Sequence, residues 1–133
     1  MFQNESRLLV ADNSGAKELK VIRCLGGSNR RYSRIGDLVI ASVVKADPES
    51  DYSKSKGQER SKIVKAVVVT ACQWFHRQNN TWIKFSKKYA VLVEQQKDKK
   101  WSPVVVTRIF VPLLSEFEQW GYKKILSLAP EVL

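Results

Sequence analysis

The stretch Asp37-Leu38-Val39-Ile40-Ala41-Ser42-Val43-Val44-Lys45 decides the fold. In an extended chain successive side chains point to opposite faces, so Val39, Ala41 and Val43 share one side and Leu38, Ile40, Ser42 and Val44 the other. Both sides are apolar except at Ser42, which suits a strand covered on nearly both faces. Such a strand belongs at the centre of a closed sheet and not on an exposed edge. Val64-Lys65-Ala66-Val67-Val68-Val69 asks for the same burial.

Working outward, further short apolar runs lie at Arg7–Ala11, Leu19–Leu25, Lys62–Ala71, Thr81–Phe85, Tyr89–Glu94 and Val104–Phe110, bounded by Gly, Asn, Ser, Pro or charged clusters. Many short strands at close spacing, with no helices between them, predict an all-β barrel. Asp12-Asn13-Ser14-Gly15 reads as a turn in which Gly15 takes positive φ, and Asn79-Asn80 turns a hairpin between the residues around Cys72 and Trp82. Residues 47–62 are rich in Ser, Lys and acids without periodicity, as in a surface loop. Helix is expected only near the end, with Pro112 in the first position and Gly121 just past the last turn. Leu113, Leu114, Phe117 and Trp120 form its apolar side, and Ser115, Glu116, Glu118 and Gln119 its polar side. A second helical turn, Lys124–Leu128, ends before Pro130. The expected molecule is a single domain over residues 1–133: a small β-barrel capped by a helical segment at about 112–128.

A chain of 133 residues, 44% of them hydrophobic, can bury one ordinary core. No run of apolar residues is long enough to span a membrane. Residues Met1 to Ser6 show neither the basic nor the apolar segment of a signal peptide. Cys24 and Cys72 form no CxxC pair and sit at the ends of apolar runs, which predicts buried thiols in a reducing compartment. Twenty-three Lys and Arg against 13 Asp and Glu give a net charge of +10, favouring polyanionic partners, nucleic acid before acidic membrane. The surplus lies in residues 1–46 and 63–101, whereas 47–62 and 102–133 are balanced.

Catalytic chemistry has little support. His76 is the sole histidine, and a Ser14-His76-Asp12 set can be assembled on paper in any protein of this size. Cys24, Cys72 and His76 lack a fourth metal ligand and the usual spacing. Asp47, Glu49 and Asp51 lack the glycine and terminal glutamate of a calcium loop. Gly26-Gly27 extends into neither phosphate-binding fingerprint. No enzyme, metal or cofactor is expected.

Gly26-Gly27-Ser28-Asn29-Arg30-Arg31-Tyr32-Ser33-Arg34 is more informative. Paired glycines let backbone N–H groups approach an anion closely, and Ser28 and Asn29 add short hydrogen-bonding side chains. Arg30, Arg31 and Arg34 carry guanidiniums that fork onto phosphate oxygens, while Tyr32 is placed to stack on a base or ribose.

Several blocks then occur in order: Val10-Ala11-Asp12-Asn13-Ser14-Gly15-Ala16-Lys17, Leu25-Gly26-Gly27-Ser28-Asn29-Arg30-Arg31-Tyr32, Ile35-Gly36-Asp37, Lys65-Ala66-Val67-Val68-Val69, Thr107-Arg108-Ile109-Phe110, and Lys124 through Leu133. Together they closely resemble the universal large-subunit ribosomal protein number fourteen in its bacterial and organellar form. The resemblance covers residues 1–133, with extra length in 47–62 and near 94–104. It implies a five-stranded barrel with a hairpin and C-terminal helical turns. It also implies binding to large-subunit rRNA beside neighbouring ribosomal proteins, at the face that meets small-subunit rRNA. The candidate rRNA-binding set is Arg7, Lys17, Lys20, Arg23, Ser28, Asn29, Arg30, Arg31, Tyr32, Arg34, Lys84, Lys87, Lys88 and Arg108. At the intersubunit face the resemblance places Thr107, Arg108, Lys124 and Ser127. In the family this face also receives ribosome-silencing and anti-association factors, which makes such a factor a candidate partner. Glu59-Arg60-Ser61, the strand that follows and Cys72 look like the plastid and cyanobacterial branch. A plastid ribosome, with an organelle-encoded gene, is therefore expected ahead of a bacterial cytoplasm.

The chain departs from the family in three places. Where the family's hairpin is rich in Lys and Arg, this one reads Cys72-Gln73-Trp74-Phe75-His76-Arg77-Gln78-Asn79-Asn80, with Arg77 its one certain cation. Trp74 and Phe75 there suit protein contact or self-packing better than base stacking. Ser115 and Glu118 replace the family's arginines, so the helix should meet protein or solvent and not phosphate. Val106 and Val111 stand where the family has glycines, so the local path should avoid positive φ. A free-standing barrel for single-stranded nucleic acid is the competing reading, since Trp82, Lys84, Phe85, Lys87, Lys88 and Tyr89 interleave aromatics with cations. Part of that set must nevertheless face the core, because Trp82, Ile83 and Phe85 share one strand.

Overall fold

In a computed structural model, which describes residues 2–26, 31–48, 63–95, 101–103 and 108–133, the apolar run becomes strand β3 (Leu38–Ala46). It is paired on one edge with β2 (Ala16–Cys24) and on the other with β4 (Ile63–Thr70). The remaining strands are β1 (Arg7–Val10), β5 (Phe75–His76), β6 (Trp82–Ile83), β7 (Tyr89–Gln95) and β8 (Trp101–Pro103). The sheet runs β1-β2-β3-β4-β7-β8, and a further β1–β7 pairing closes it into a five-stranded barrel. Closure is parallel, Leu9 opposite Tyr89 and Val10 opposite Ala90, whereas the other strand pairings among the described residues are antiparallel. The central position expected for β3 is the one observed.

The inner faces of the strands supply Leu8, Leu19, Val21, Val39, Ala41, Ala66 and Leu92, all buried in one cluster with Phe2, Leu113, Leu114, Phe117 and Ile125. β2 begins at Ala16, three residues earlier than its hydrophobic run suggested, because Gly15 at φ 101° ends the turn and Ala16 already pairs with Ala46. Bulges interrupt β2, and one lies between Val21 and Arg23. That irregularity leaves both Ile22 and Arg23 exposed. Asp12 reaches across the closing seam: its carboxylate accepts the Leu92 N–H at 3.0 Å and both the N–H and hydroxyl of Ser14, at 3.1 and 2.6 Å. It thereby satisfies a buried donor of β7 where β1 has ended.

Among the described residues, helix is confined to α1 (Glu116–Gln119) and α2 (Lys123–Ser127), neither long enough to cross a membrane. α1 starts later than Pro112 predicted. Leu113 instead makes a backbone bridge with Val132, donating its N–H to Glu131 and accepting from Leu133 at 2.8 Å, so the chain stays extended there. Gly121 takes φ 90° past α1, as expected. Expectations for 104–107 lie outside the described residues. Ile109 makes an isolated bridge to Asp12 in place of the regular strand expected through Phe110. The run Thr81–Phe85 shrinks to the two residues of β6, which pair with β5 around Asn79-Asn80, with Asn80 at φ 67°. Cys24 is buried, but Cys72 is only half-buried, its Sγ 3.4 Å from the Ser86 carbonyl, so the core placement expected for it does not hold.

Candidate nucleic-acid interface

On the barrel wall the antiparallel register sets Arg7 beside Lys20. Glu18 holds Arg7 at 3.1 Å and Lys45 at 3.6 Å, and Asp47 holds Lys17 at 3.6 Å. The Arg7 and Lys17 side chains are more than half exposed, and exposed pairs contribute at most about 1 kcal/mol, so their cations exchange readily onto phosphate. Lys20, Arg23, Arg31, Arg34, Lys87 and Lys88 have no carboxylate partner in a salt bridge among the described residues.

Lys87 and Lys88 sit on fixed backbone. The buried Thr70 hydroxyl donates to the Lys87 carbonyl at 2.8 Å and accepts the Tyr89 N–H at 2.9 Å, and the Lys88 carbonyl accepts the Leu9 N–H at 3.0 Å. Both lysines line a groove of about 290 Å³ with Arg7, Leu9 and Cys72. Barrel closure thus gathers cations from residues 7 and 87–88 that are far apart in sequence. The ammonium of Lys88 also stands 6.0 Å from the centre of the Phe2 ring.

The glycine-arginine loop is described at its two ends. Gly26 takes φ 118°, a conformation that glycine adopts readily, whereas Ser28, Asn29 and Arg30 lie outside the described residues. Arg31 and Tyr32 are exposed. The chain is then pinned: Phe2 and Ser33 exchange backbone hydrogen bonds of 2.8 and 2.7 Å, and the Arg34 N–H donates to Asp37 Oδ2 at 2.7 Å. The Arg34 side chain emerges beside the hairpin.

That hairpin divides the expected set. Arg77, its one cation, is not available to phosphate. Its Nε donates to Glu116 Oε1 at 2.9 Å, and one terminal nitrogen reaches Glu116 Oε2, Ser115 Oγ and the Leu133 carbonyl at 3.3, 3.0 and 2.8 Å. Glu116 is consequently buried and neutralised, not on the solvent side where helical spacing placed it. The acidic face inferred for this helix is therefore reduced to Glu118. Phe75 packs edge-on against Trp120, 6.1 Å between ring centres, which bears out self-packing at that position. Trp74 does not self-pack and remains 64% exposed, with the Lys84 ammonium 5.8 Å from its ring centre. Ile83 and Phe85 turn toward the core, leaving Trp82 and Lys84 outside. Trp82 is 60% exposed and stacks on His76 at 4.5 Å.

Arg108 is exposed and lies over the Phe110 ring at 5.1 Å, while Ile109 between them is buried. Val111 avoids positive φ, as β-branching required. Lys124 and Ser127 are exposed on α2, where the Ser127 hydroxyl donates to the Lys124 carbonyl at 2.6 Å. Thr107 and Val106 lie outside the described residues.

A Ser-His-Asp site does not form. Ser14 bonds to Asp12, while His76 bonds to Asn80 at 3.0 Å and stacks on Trp82. Burial raises the Asp12 carboxyl above the usual carboxylate range, against the lowering effect of its bonds from Ser14 and Leu92. Among the described residues no three His, Cys, Asp or Glu side chains cluster to hold a metal ion.

Sequence reasoning missed the Arg77 clamp and a second close fit. Gly36 takes φ 90°, and an added Cβ would lie 2.5 Å from Trp120 Cε3. The signal available was weak: a glycine before a strand marks a turn, but nothing local says that a tryptophan more than eighty residues later will lie on it. A family model described as Ribosomal protein L14p/L23e matches residues 1–133.

Proposed function

The chain belongs to the L14p/L23e family of ribosomal proteins, structural constituents of the large subunit and not enzymes, and from that membership we propose that it binds large-subunit rRNA by phosphate neutralisation. The observation that carries this reading is the set of surface cations, Lys20, Arg23, Arg31, Arg34, Lys87 and Lys88, without carboxylate partners among the described residues. Arg7, Lys17 and Lys84 join them, since their present contacts are exposed. Ser28, Asn29, Arg30 and Tyr32 complete the loop contact by sequence.

The exposed Arg108, Lys124 and Ser127, with Thr107, are the residues proposed to meet small-subunit rRNA. The same surface would receive a silencing or anti-association factor. The likeness of Glu59-Arg60-Ser61 and Cys72 to the plastid branch supports a plastid ribosome ahead of a bacterial one. Sedimentation of a native extract, with subunits split at lower magnesium, tests the assignment. One copy per large subunit, retained after the split, is expected. Signal confined to the top of the gradient would refute it and leave the free-standing single-stranded nucleic-acid-binding barrel.

A further inference from the structure

The exposed tryptophans have no role in the cation wall, yet they border a groove of about 350 Å³ whose walls include Trp74, Phe75 and Trp82 and whose floor is the buried Ile35. Arg34 stands at its edge, and no carboxylate lines it among the described residues. The site is built in advance. Asn80 holds His76 at 3.0 Å, His76 stacks on one side of Trp82 at an interplanar angle of 22°, and Asp37 fixes the Arg34 backbone. More than half of Trp82 remains open to solvent after that stack.

An aromatic face beside a guanidinium that has no salt bridge among the described residues, with no carboxylate in the groove's lining, complements a π-system that carries a negative charge. We infer that this groove takes one unpaired nucleotide of RNA, its base continuing the His76–Trp82 stack and its phosphate on Arg34. Trp74, with Lys84 against it, lines the same groove. Duplex RNA is excluded, because its bases are already stacked and paired. The inference rests on the rRNA-binding reading and adds a stacking contact to it, at a hairpin whose single arginine is committed to Glu116.

The test uses the full chain and two probes, single-stranded hexa-adenylate and a short RNA duplex, followed by tryptophan quenching and by anisotropy of labelled RNA. Single-strand binding is expected to depend on Trp82, and duplex binding, which uses the cations alone, is not. Trp82→Ala should weaken single-strand binding about 5- to 150-fold, as expected for one stacked base of about 1–3 kcal/mol. The salt slope should stay unchanged, because no phosphate contact is lost. Trp82→Phe, which keeps a ring and guards against a folding artefact, should recover most of the affinity. Single-strand binding by Trp82→Ala within twofold of the parent, or an equal loss of duplex binding in that variant, overturns the proposal. So does a photocrosslinker at the exposed Thr81 that captures a ribosomal protein and not rRNA in the assembled subunit. Normal large-subunit sedimentation with no Trp82 dependence defeats the groove alone. Trp82-dependent binding without sedimentation defeats the ribosomal reading alone.

Discussion

Replacing Arg77 by Met removes one half of an ion pair whose side chains are only 14% and 10% exposed. The Glu116 carboxylate would lose both of its charge-assisted bonds, at 2.9 and 3.3 Å, and stay buried without a countercharge. Breaking such a pair from one side costs about 3–5 kcal/mol. For a domain of this size that corresponds to a fall in Tm of about 10–20 °C. The double variant Arg77→Met with Glu116→Leu removes both charges and should recover a large part of the loss, giving a coupling energy above about 1.5 kcal/mol. Urea titration followed by far-UV circular dichroism measures each corner of the cycle. Near-UV dichroism should report loosening of Phe75 and Trp120, which pack across the same junction. Arg77→Met within about 0.5 kcal/mol of the parent, or strict additivity in the cycle, would show that the clamp is not a buried pair in solution.

Three further outcomes are expected. Gly36→Ala imposes both a left-handed backbone and the 2.5 Å approach to Trp120, so it should cost about 1–3 kcal/mol; pairing it with Trp120→Ala relieves only the clash, and thermal melts of the two variants separate the terms. Lys87→Ala with Lys88→Ala should leave folding intact and reduce the salt slope of rRNA-fragment binding by roughly 0.7–0.9 per lost phosphate contact; an unchanged slope removes the lysine pair from the interface. Because burial raises the Asp12 carboxyl, the folded protein keeps that proton to higher pH than the unfolded chain, and its contribution to stability falls as pH rises from the ordinary carboxylate range through the raised value. Asp12→Asn should abolish that slope in urea midpoints taken between about pH 3 and 7, while costing about 1–3 kcal/mol at neutral pH because an amide donor then faces a backbone N–H.

The barrel was legible because each of its strands announces itself by local means: β3 by being apolar on nearly both faces, β2 by its run from Leu19, the hairpin by Asn79-Asn80. What sequence could not supply was partnership at a distance. Glu116 lies at a helical spacing that reads as solvent-facing, and only the hairpin folding back with Arg77 makes its burial tolerable. Pro112 carried an N-terminal helix signal that lost to the bridge between Leu113 and Val132, where tertiary pairing overrode local preference. The cations of the candidate interface were legible as types, but not which were already engaged. Arg7 and Lys17 have carboxylates across the wall, and Arg77 is spent inside the protein. Trp74 and Phe75, adjacent in sequence, part company because alternation turns one outward and sets the other against Trp120.

The Arg77 clamp also imposes an order of events on synthesis. Every strand of the closed barrel has been made once Gln95 is added, yet the groups that Arg77 grips lie at Ser115, Glu116 and Leu133. At about 5–20 residues per second, Glu116 is added roughly 1–4 s after Gln95. Until then the arginine lacks its carboxylate partner and Phe75 lacks the tryptophan it packs against. The hairpin therefore acquires its final set of charges only when residues 115–133 dock, and the same event withdraws its one arginine from solvent.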